Sequence, residues 1–251
     1  MKCSAFTIWL LTILMAAPSV ASEVSLGIYE YPPFLGKDLE RGGVLADLSQ
    51  AIFIQAGYST RQVSMPFARL VAAARLGEVD VIVGLWHTRE RETQFLFSKI
   101  SLLSTPVGFY KRRGISVPLR GHSNPLIVGM PRGYALPTEV DLTGLRLLTL
   151  DDDYQALNMV AKGRIDLAII SQDIADYVFK TQLKEEATQL EFVAPPLGVQ
   201  HFYMAISRNL PNPQQLLGDF ERAFETLLKQ GAVQSIILHH GFRDFSSADI
   251  Q

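Results

Sequence analysis

The chain contains a single cysteine, Cys3, among 251 residues. It lies ahead of an apolar stretch, Ala5 to Ala17, that reads as the centre of an export signal. Met1-Lys2 is a short positive start, and Ser19-Val20-Ala21 offers small residues for cleavage near Ala21. The run is short for a membrane-spanning helix. On this reading residues 1–21 are a signal peptide, and a mature exported chain starting at Ser22 has no thiol, disulfide or cysteine–metal site. Charge of one sign is also lacking. The net charge of -2 becomes -3 once Lys2 is removed, and no basic block stands out, which argues against a nucleic-acid partner. No second long apolar segment follows, so the mature chain is expected to be soluble. Enzyme signatures are missing: there is no Gly-x-Ser-x-Gly, no Gly-rich phosphate loop ending in Lys-Ser or Lys-Thr, and no Gly-x-Gly-x-x-Gly. No cofactor is expected. His239 and His240 point in different directions on a helix, and His87, His122 and His201 lack close ligand-type partners, so no metal site is expected. Acid–base catalysis by a cleft carboxylate needs no sequence signature and stays open.

What the chain does have is a pattern that occurs twice. Gly77-Glu78-Val79-Asp80-Val81-Ile82-Val83-Gly84 is followed 86 residues later by Gly163-Arg164-Ile165-Asp166-Leu167-Ala168-Ile169-Ile170. Each copy follows an amphipathic helical stretch that Gly can end in a left-handed C-cap. Each then opens an apolar, β-branched run suited to a strand buried on both faces. Two α-to-β junctions of one kind predict two similar α/β lobes, and about 230 mature residues suffice for two lobes of roughly 100 each. A ligand between them is the leading functional idea, because clefts at domain interfaces are preferred ligand sites.

Strands are predicted at Val24–Ile28, Thr60–Ser64 and Val79–Leu85, alternating with helices at Gly43–Gly57 and Phe67–Leu76. This β-α-β-α-β order implies a parallel sheet. Val44, Leu45, Leu48 and Ile52 mark the buried face of the first helix. The second lobe is predicted to use strands at Ile127–Met130, Leu145–Leu150 and Ile165–Ile170, with helices at Gln155–Lys162 and Ile174–Leu183. Phe202–Ser207 and helices from Gln214 and Ala232 complete the chain. Crossings near Val107–Lys111 and Leu197–Phe202 divide it into lobe I, residues 22–108 plus 202–251, and an inserted lobe II, residues 109–201.

Several residues have both a bland and a functional reading. Trp86 ends one strand and Arg132 follows another, and open α/β sheets bind ligands at the C-terminal ends of their strands. Arg91 is either a surface arginine in the charged turn Arg89-Glu90-Arg91-Glu92 or a ligand contact. Tyr31 and Phe67 serve equally as core or as cavity wall. Arg69 reads as a solvated or packing arginine. Asp80 and Asp166 sit at strand starts, away from the expected cleft, and read as structural. Asp151-Asp152-Asp153 reads as a helix N-cap, with a cation-binding role as the alternative.

Taken in order, Tyr31-Pro32-Pro33-Phe34, the Gly43–Gly57 helix, Phe67, Gly77-x-x-Asp80, Thr88-Arg89-Glu90-Arg91 and Phe97-Ser98 resemble the bacterial extracellular solute-binding proteins of family 3, the polar amino-acid-binding type. Phe202-Tyr203-Met204-Ala205-Ile206-Ser207 and the apolar helix after Gly231 extend the resemblance over nearly all of the mature chain. The resemblance implies a two-lobed periplasmic-binding-protein-like α/β fold. Each lobe has a mixed, mostly parallel sheet, and two crossing hinge strands join them. It also implies Arg91 as the carboxylate clamp, a role suited to the two parallel donors of a guanidinium. It places Tyr31 and Phe67 beside the ligand, Thr88 as a hydroxyl or backbone contact, and Gly133 and Tyr134 in a lobe II loop whose amides meet the carboxylate. Where the amino-acid binders carry an acidic partner for the ligand ammonium, this chain has Ser171, with Asp173 two residues on, which leaves Asp151, Asp152 or Asp153 as candidate cation partners. The implied function is capture of an amino acid or other carboxylate by a monomer that docks on the membrane permease of an ABC importer. The alternatives are a ligand-sensing module for a receptor and, on the same fold, a cyclohexadienyl dehydratase-like enzyme with Glu30, Asp151 or Asp153 as the acid.

Overall fold

The computed structural model describes residues 22–117, 124–132, 141 and 143–242. The chain opens with β1 (Glu23–Ile28), α1 (Val44–Gln55), β2 (Ser59–Ser64), α2 (Phe67–Leu76) and β3 (Val81–Trp86), then a short helix α3 (Arg89–Glu92) and β4 (Phe95–Phe97). A long strand β5 (Leu103–Arg112) leads to β6 (Leu126–Pro131), β7 (Leu145–Leu150), α4 (Asp153–Ala161), β8 (Leu167–Ser171), α5 (Gln172–Thr181) and β9 (Leu190–Phe192). A second long strand, β10 (Gly198–Ser207), returns to helices α6 (Pro213–Lys229) and α7 (Ala232–His239).

Among the described residues the strands join in the order β2-β1-β3-β10-β5-β8-β6-β7, with β4 also paired to β10 and β9 to β5. The order has a centre and two wings. β1 is parallel to β2 and β3 in one wing, and β6 is parallel to β7 and β8 in the other. The two long strands each serve both. Phe202–Ile206 of β10 runs antiparallel to β3, and Val107–Tyr110 of β5 runs antiparallel to β8. Between them, Ser104–Pro106 and Val199–His201 pair only with each other. This is the two-lobed, doubly crossed α/β architecture expected.

Both long strands begin several residues before the sequence pattern predicts. The extra residues include Ser104, Thr105, Gln200 and His201, which are polar. A strand that pairs only with its counterpart across the link has no extended core face to impose apolar alternation, so the pattern carries no signal there.

The recurrent motif does the same work in each wing. Gly77 (φ 79°) and Gly163 (φ 65°) adopt the left-handed conformation that ends the preceding helix. Val79 and Ile165 then plug the core, at 2% and 3% exposure. Next comes the aspartate. Asp80 accepts from the Ser25 backbone N–H (2.7 Å) and the Ser25 hydroxyl (2.6 Å). Asp166 accepts from the Ile127 backbone N–H (2.8 Å). Each carboxylate pins the start of the neighbouring parallel strand, so both aspartates are structural, as read from the sequence.

Helices cover both faces of the first wing. Val44, Leu45, Leu48 and Ile52 of α1 are fully buried in the larger core, together with Phe220 and Phe224 of α6. On the opposite face, Leu70, Ala73 and Ala74 of α2 pack with Ile82 and Leu85 of β3.

A cavity at the strand ends

One cavity of about 260 Å³ lies where the C-terminal ends of the parallel strands of both wings converge. From the first wing come Tyr29, Glu30 and Tyr31 after β1, Phe67 at the start of α2, Leu85 and Trp86 at the end of β3, and Arg91 on α3. From the second come Pro131 and Arg132 at the end of β6, and Asp151, Asp152 and Asp153 at the β7–α4 junction. Parallel strands whose connections run back on the helices leave their C-terminal ends as the open rim, which is why residues far apart in sequence meet there.

Trp86 reaches this rim through a backbone irregularity. Tyr203 is opposite Leu85 while Met204 is opposite Val83, so Gly84 is an extra residue in β3. Its φ of 72° suits a bulge that glycine adopts without strain. The insertion reverses the alternation beyond it. Leu85 packs with Ile82 on the α2 face, and Trp86 joins the Val81–Val83 face, 7% exposed. There it meets Tyr31 and Phe202 edge-on or tilted, with ring centroids 6.3 and 6.2 Å away. The Tyr29 hydroxyl donates to the bulge carbonyl of Gly84 at 3.2 Å. Tyr29 stacks on Tyr31 (5.8 Å) and meets Phe67 at 4.9 Å, so four aromatic rings form one wall.

Arg91 sits at the edge of that wall. Thr88 caps α3 by accepting from the Arg91 backbone N–H at 3.2 Å, which turns the chain so that the Arg91 side chain leans back over the end of β3. Its Nη1 donates to the Trp86 carbonyl at 2.7 Å, and its guanidinium carbon stands 5.6 Å from the Phe67 ring centroid. Burial pulls the Arg91 pKa down, against the attraction of Tyr29 and Glu90. Burial pushes the Tyr29 hydroxyl up, and neighbouring Arg91 only partly offsets it. A half-buried guanidinium, with one donor used by a backbone carbonyl and low-dielectric surroundings, favours an incoming anion.

Of the candidates read from sequence, Arg91, Tyr31, Phe67, Trp86 and Arg132 border the cavity. Thr88 and Ser171 do not. The Thr88 hydroxyl is engaged in the α3 cap. Ser171 is fully buried and caps α5 by accepting from the Ile174 backbone N–H at 3.4 Å. Its neighbour Asp173 accepts from the Thr105 hydroxyl at 2.5 Å, so it too is committed to the scaffold. Gly133, Tyr134, His122 and residues 1–21, read from sequence as a leader, lie outside the described residues. Arg69 is exposed and does not border the cavity. Asp152 is the N-cap expected, accepting from the Gln155 backbone N–H at 2.7 Å, and all three aspartates also border the cavity. Sequence reasoning did not place Tyr29, Leu85 or Pro131 there. Each ends a strand or directly follows one, and that position was the available signal.

The fold is the two-lobed α/β fold of periplasmic binding proteins. The chain belongs to the bacterial extracellular solute-binding proteins, family 3, whose model it matches over residues 25–241. No curated protein sequence matches it significantly. Solved structures of similar fold include the probable amino-acid ABC transporter extracellular-binding protein YtmK of Bacillus subtilis, at 17% identity over 87% of this chain and 97% of that one (TM-score 0.69). A histidine kinase sensor domain similar to periplasmic binding proteins is 22% identical over 87% of this chain and 95% of that one (TM-score 0.67). The GluR0 ligand-binding core of Nostoc punctiforme, in complex with L-glutamate, is 18% identical over 85% and 97% (TM-score 0.66).

Proposed function

We propose that this protein captures a small polar solute, an amino acid or another carboxylate, in the cavity between its lobes, and does so in the periplasm for an ABC importer. The observation that carries the reading is Arg91. It is held by the Trp86 carbonyl against an aromatic wall, at the edge of a cavity bordered by both lobes. Lobe I (residues 22–108 with 202–251) and lobe II (residues 109–201) close on the solute by rotation about the two linking strands. A solute touching both lobes favours the closed form by its higher affinity for it. The closed monomer, freed of its leader near Ala21, then docks on a permease. Family membership supports this reading, as does the similarity to a probable amino-acid ABC transporter binding protein.

A sensing role is the second reading, favoured by the similarity to a histidine kinase sensor domain. Permease and ATPase genes beside this one would favour import, and a receptor gene would favour sensing. Neither role involves turnover, so prephenate or arogenate incubated with the protein should remain unchanged.

The test is a thermal-shift screen of the chain from Ser22 onward against amino acids, di- and tricarboxylates, polyamines and sugars. A ligand at 100 times its Kd stabilises the fold by about 2.7 kcal/mol. A carboxylate-bearing hit that disappears in Arg91→Ala is the expected result. A screen with no hit would sink the reading, and a hit indifferent to Arg91→Ala would remove the proposed clamp.

A further inference from the structure

The bond that holds Arg91 has a second bond around it. The Trp86 carbonyl that accepts from Arg91 Nη1 belongs to the peptide unit shared with His87, and Glu92 directly follows Arg91. His87 Nε2 lies 2.7 Å from Glu92 Oε1. An ionised carboxylate only accepts, so Nε2 carries the hydrogen and donates it. Each end of the inner bond is thus the chain neighbour of one end of the outer bond, and His87 and Glu92 close as a clasp around the arginine.

The clasp matters because α3 has little of its own to hold it. A helix of four residues is far too short to stand alone in water. Its start is tied by the Thr88 cap, and its last carbonyl, that of Glu92, accepts from Arg208 Nε at 3.0 Å. The His87–Glu92 bond ties that backbone to the end of β3, where the acceptor for Arg91 lies. The His87 ring is itself seated, edge-on to Phe97 at 4.8 Å and to Tyr203 at 6.0 Å. The charged and titratable groups around it are Arg89, Glu90, Arg91 and Glu92 of α3, Arg208 at the Glu92 carbonyl, and Tyr203 with His201 behind it on β10, 6.2 Å from the Tyr203 ring. The β4 side faces it with the uncharged Phe97. Burial pushes the Tyr203 hydroxyl up, which keeps the phenol neutral near pH 7.

We infer that His87 and Glu92 are positioning residues for Arg91, and that the imidazole in their bond makes the hold on Arg91 depend on pH. An imidazole changes charge between about pH 5 and 8, and a charge-assisted hydrogen bond is roughly twice as strong as a neutral one. The clasp is therefore tightest toward the acid end of that range and loosest toward the alkaline end. Its two side chains are 41% and 54% exposed, so water screens the pair and the effect is a few-fold one. The inference rests on the reading of Arg91 as the clamp for the solute and names what regulates that clamp.

The test labels arginine side chains with phenylglyoxal and needs no solute. The protein from Ser22 onward is labelled at intervals from about pH 6 to about pH 8. Mass spectrometry reads the labelling of Arg91 relative to Arg89, which is exposed on the same helix, so the reagent's own pH dependence cancels. A loosened Arg91 labels faster, and the ratio is expected to rise by about twofold to fivefold across this range. In Glu92→Gln and in His87→Gln it should be constant with pH. In His87→Lys, whose ammonium keeps its charge throughout, it should be constant and low. A constant ratio in the unaltered protein would overturn the inference. So would a rise that persists in Glu92→Gln, because the charge of the imidazole alone, and not the clasp, would then act on Arg91. Neither result touches the solute-binding reading, which fails on its own test if the thermal-shift screen yields no hit.

Discussion

The two copies of the Gly-x-x-Asp motif open their strands alike and end them differently. In both, a left-handed glycine ends a helix, an apolar residue plugs the core and an aspartate pins the next parallel strand. Beyond that the copies diverge. β3 takes an extra residue at Gly84, turns Trp86 to the aromatic wall and continues into the Thr88 cap that aims Arg91. β8 runs without interruption into α5, and its last residue, Ser171, is consumed by the helix cap. One scaffold unit thus supplies a cavity wall in one lobe and only support in the other. In the second lobe the contribution moves to the ends of β6 and β7.

The comparison can be broken at either end of the strands. The largest expected effect is at the starts. Asp80 holds two donors of Ser25 and its own N–H bonds back to the Ser25 hydroxyl at 2.8 Å, whereas Asp166 holds a single backbone N–H and is exposed. Asp80→Ala should therefore cost about 3 kcal/mol and Asp166→Ala about 1 kcal/mol in urea unfolding. Equal losses would mean the two pins are not graded by their bonds.

Next comes the bulge. A Cβ at Gly84 would lie 2.7 Å from Leu45 Cδ1, on a backbone whose positive φ disfavours any side chain. Gly84→Ala should cost about 2 kcal/mol and change the near-ultraviolet circular dichroism of Trp86, the one tryptophan besides Trp9. An unchanged spectrum would show that the bulge does not aim the ring.

The caps give a smaller effect and sharpen the difference between the strand ends. Ser171→Ala and Thr88→Ala should each cost about 1 kcal/mol. Only Thr88→Ala should also weaken solute binding, because only that cap orients Arg91. Equal binding by the two variants would refute the distinction.

The smallest expected effect concerns acid stability in the second lobe. Glu191 accepts from Lys111 Nζ at 2.6 Å, and that hydrogen bond holds its carboxyl below the usual carboxylate range. A carboxyl depressed in the folded state contributes stability above its unfolded pKa and loses it as pH falls through the folded value. Lys111→Met should therefore flatten the decline of stability below about pH 4.5. An unaltered decline would assign acid sensitivity elsewhere.

Much of this could be read directly from residue patterns. The α1 face of Val44, Leu45, Leu48 and Ile52 is buried as its helical spacing requires. The repeated Gly-x-x-Asp predicted two similar units because a left-handed cap and a β-branched run are local requirements. Arg91 and Arg132 at the cavity edge followed from resemblance and from position after a strand. The linking strands were underestimated because their polar halves face no continuous core. The four-residue helix α3 was read as a charged turn because its only signal was one capping threonine.

The sequence by itself determined most of the elements and the family, since these rest on short-range periodicity, capping and turn chemistry. Only the tertiary structure decided which strand ends share a cavity. It showed that an inserted glycine turns Trp86 through to the other face, that Ser171 and Asp173 are held by the scaffold, and that three aspartates of a helix cap stand across from an arginine some sixty residues earlier in the chain. The physical reason is that capping and alternation act between neighbours a few residues apart, whereas a cavity is set by strand register and by competition for hydrogen-bond partners across the whole fold.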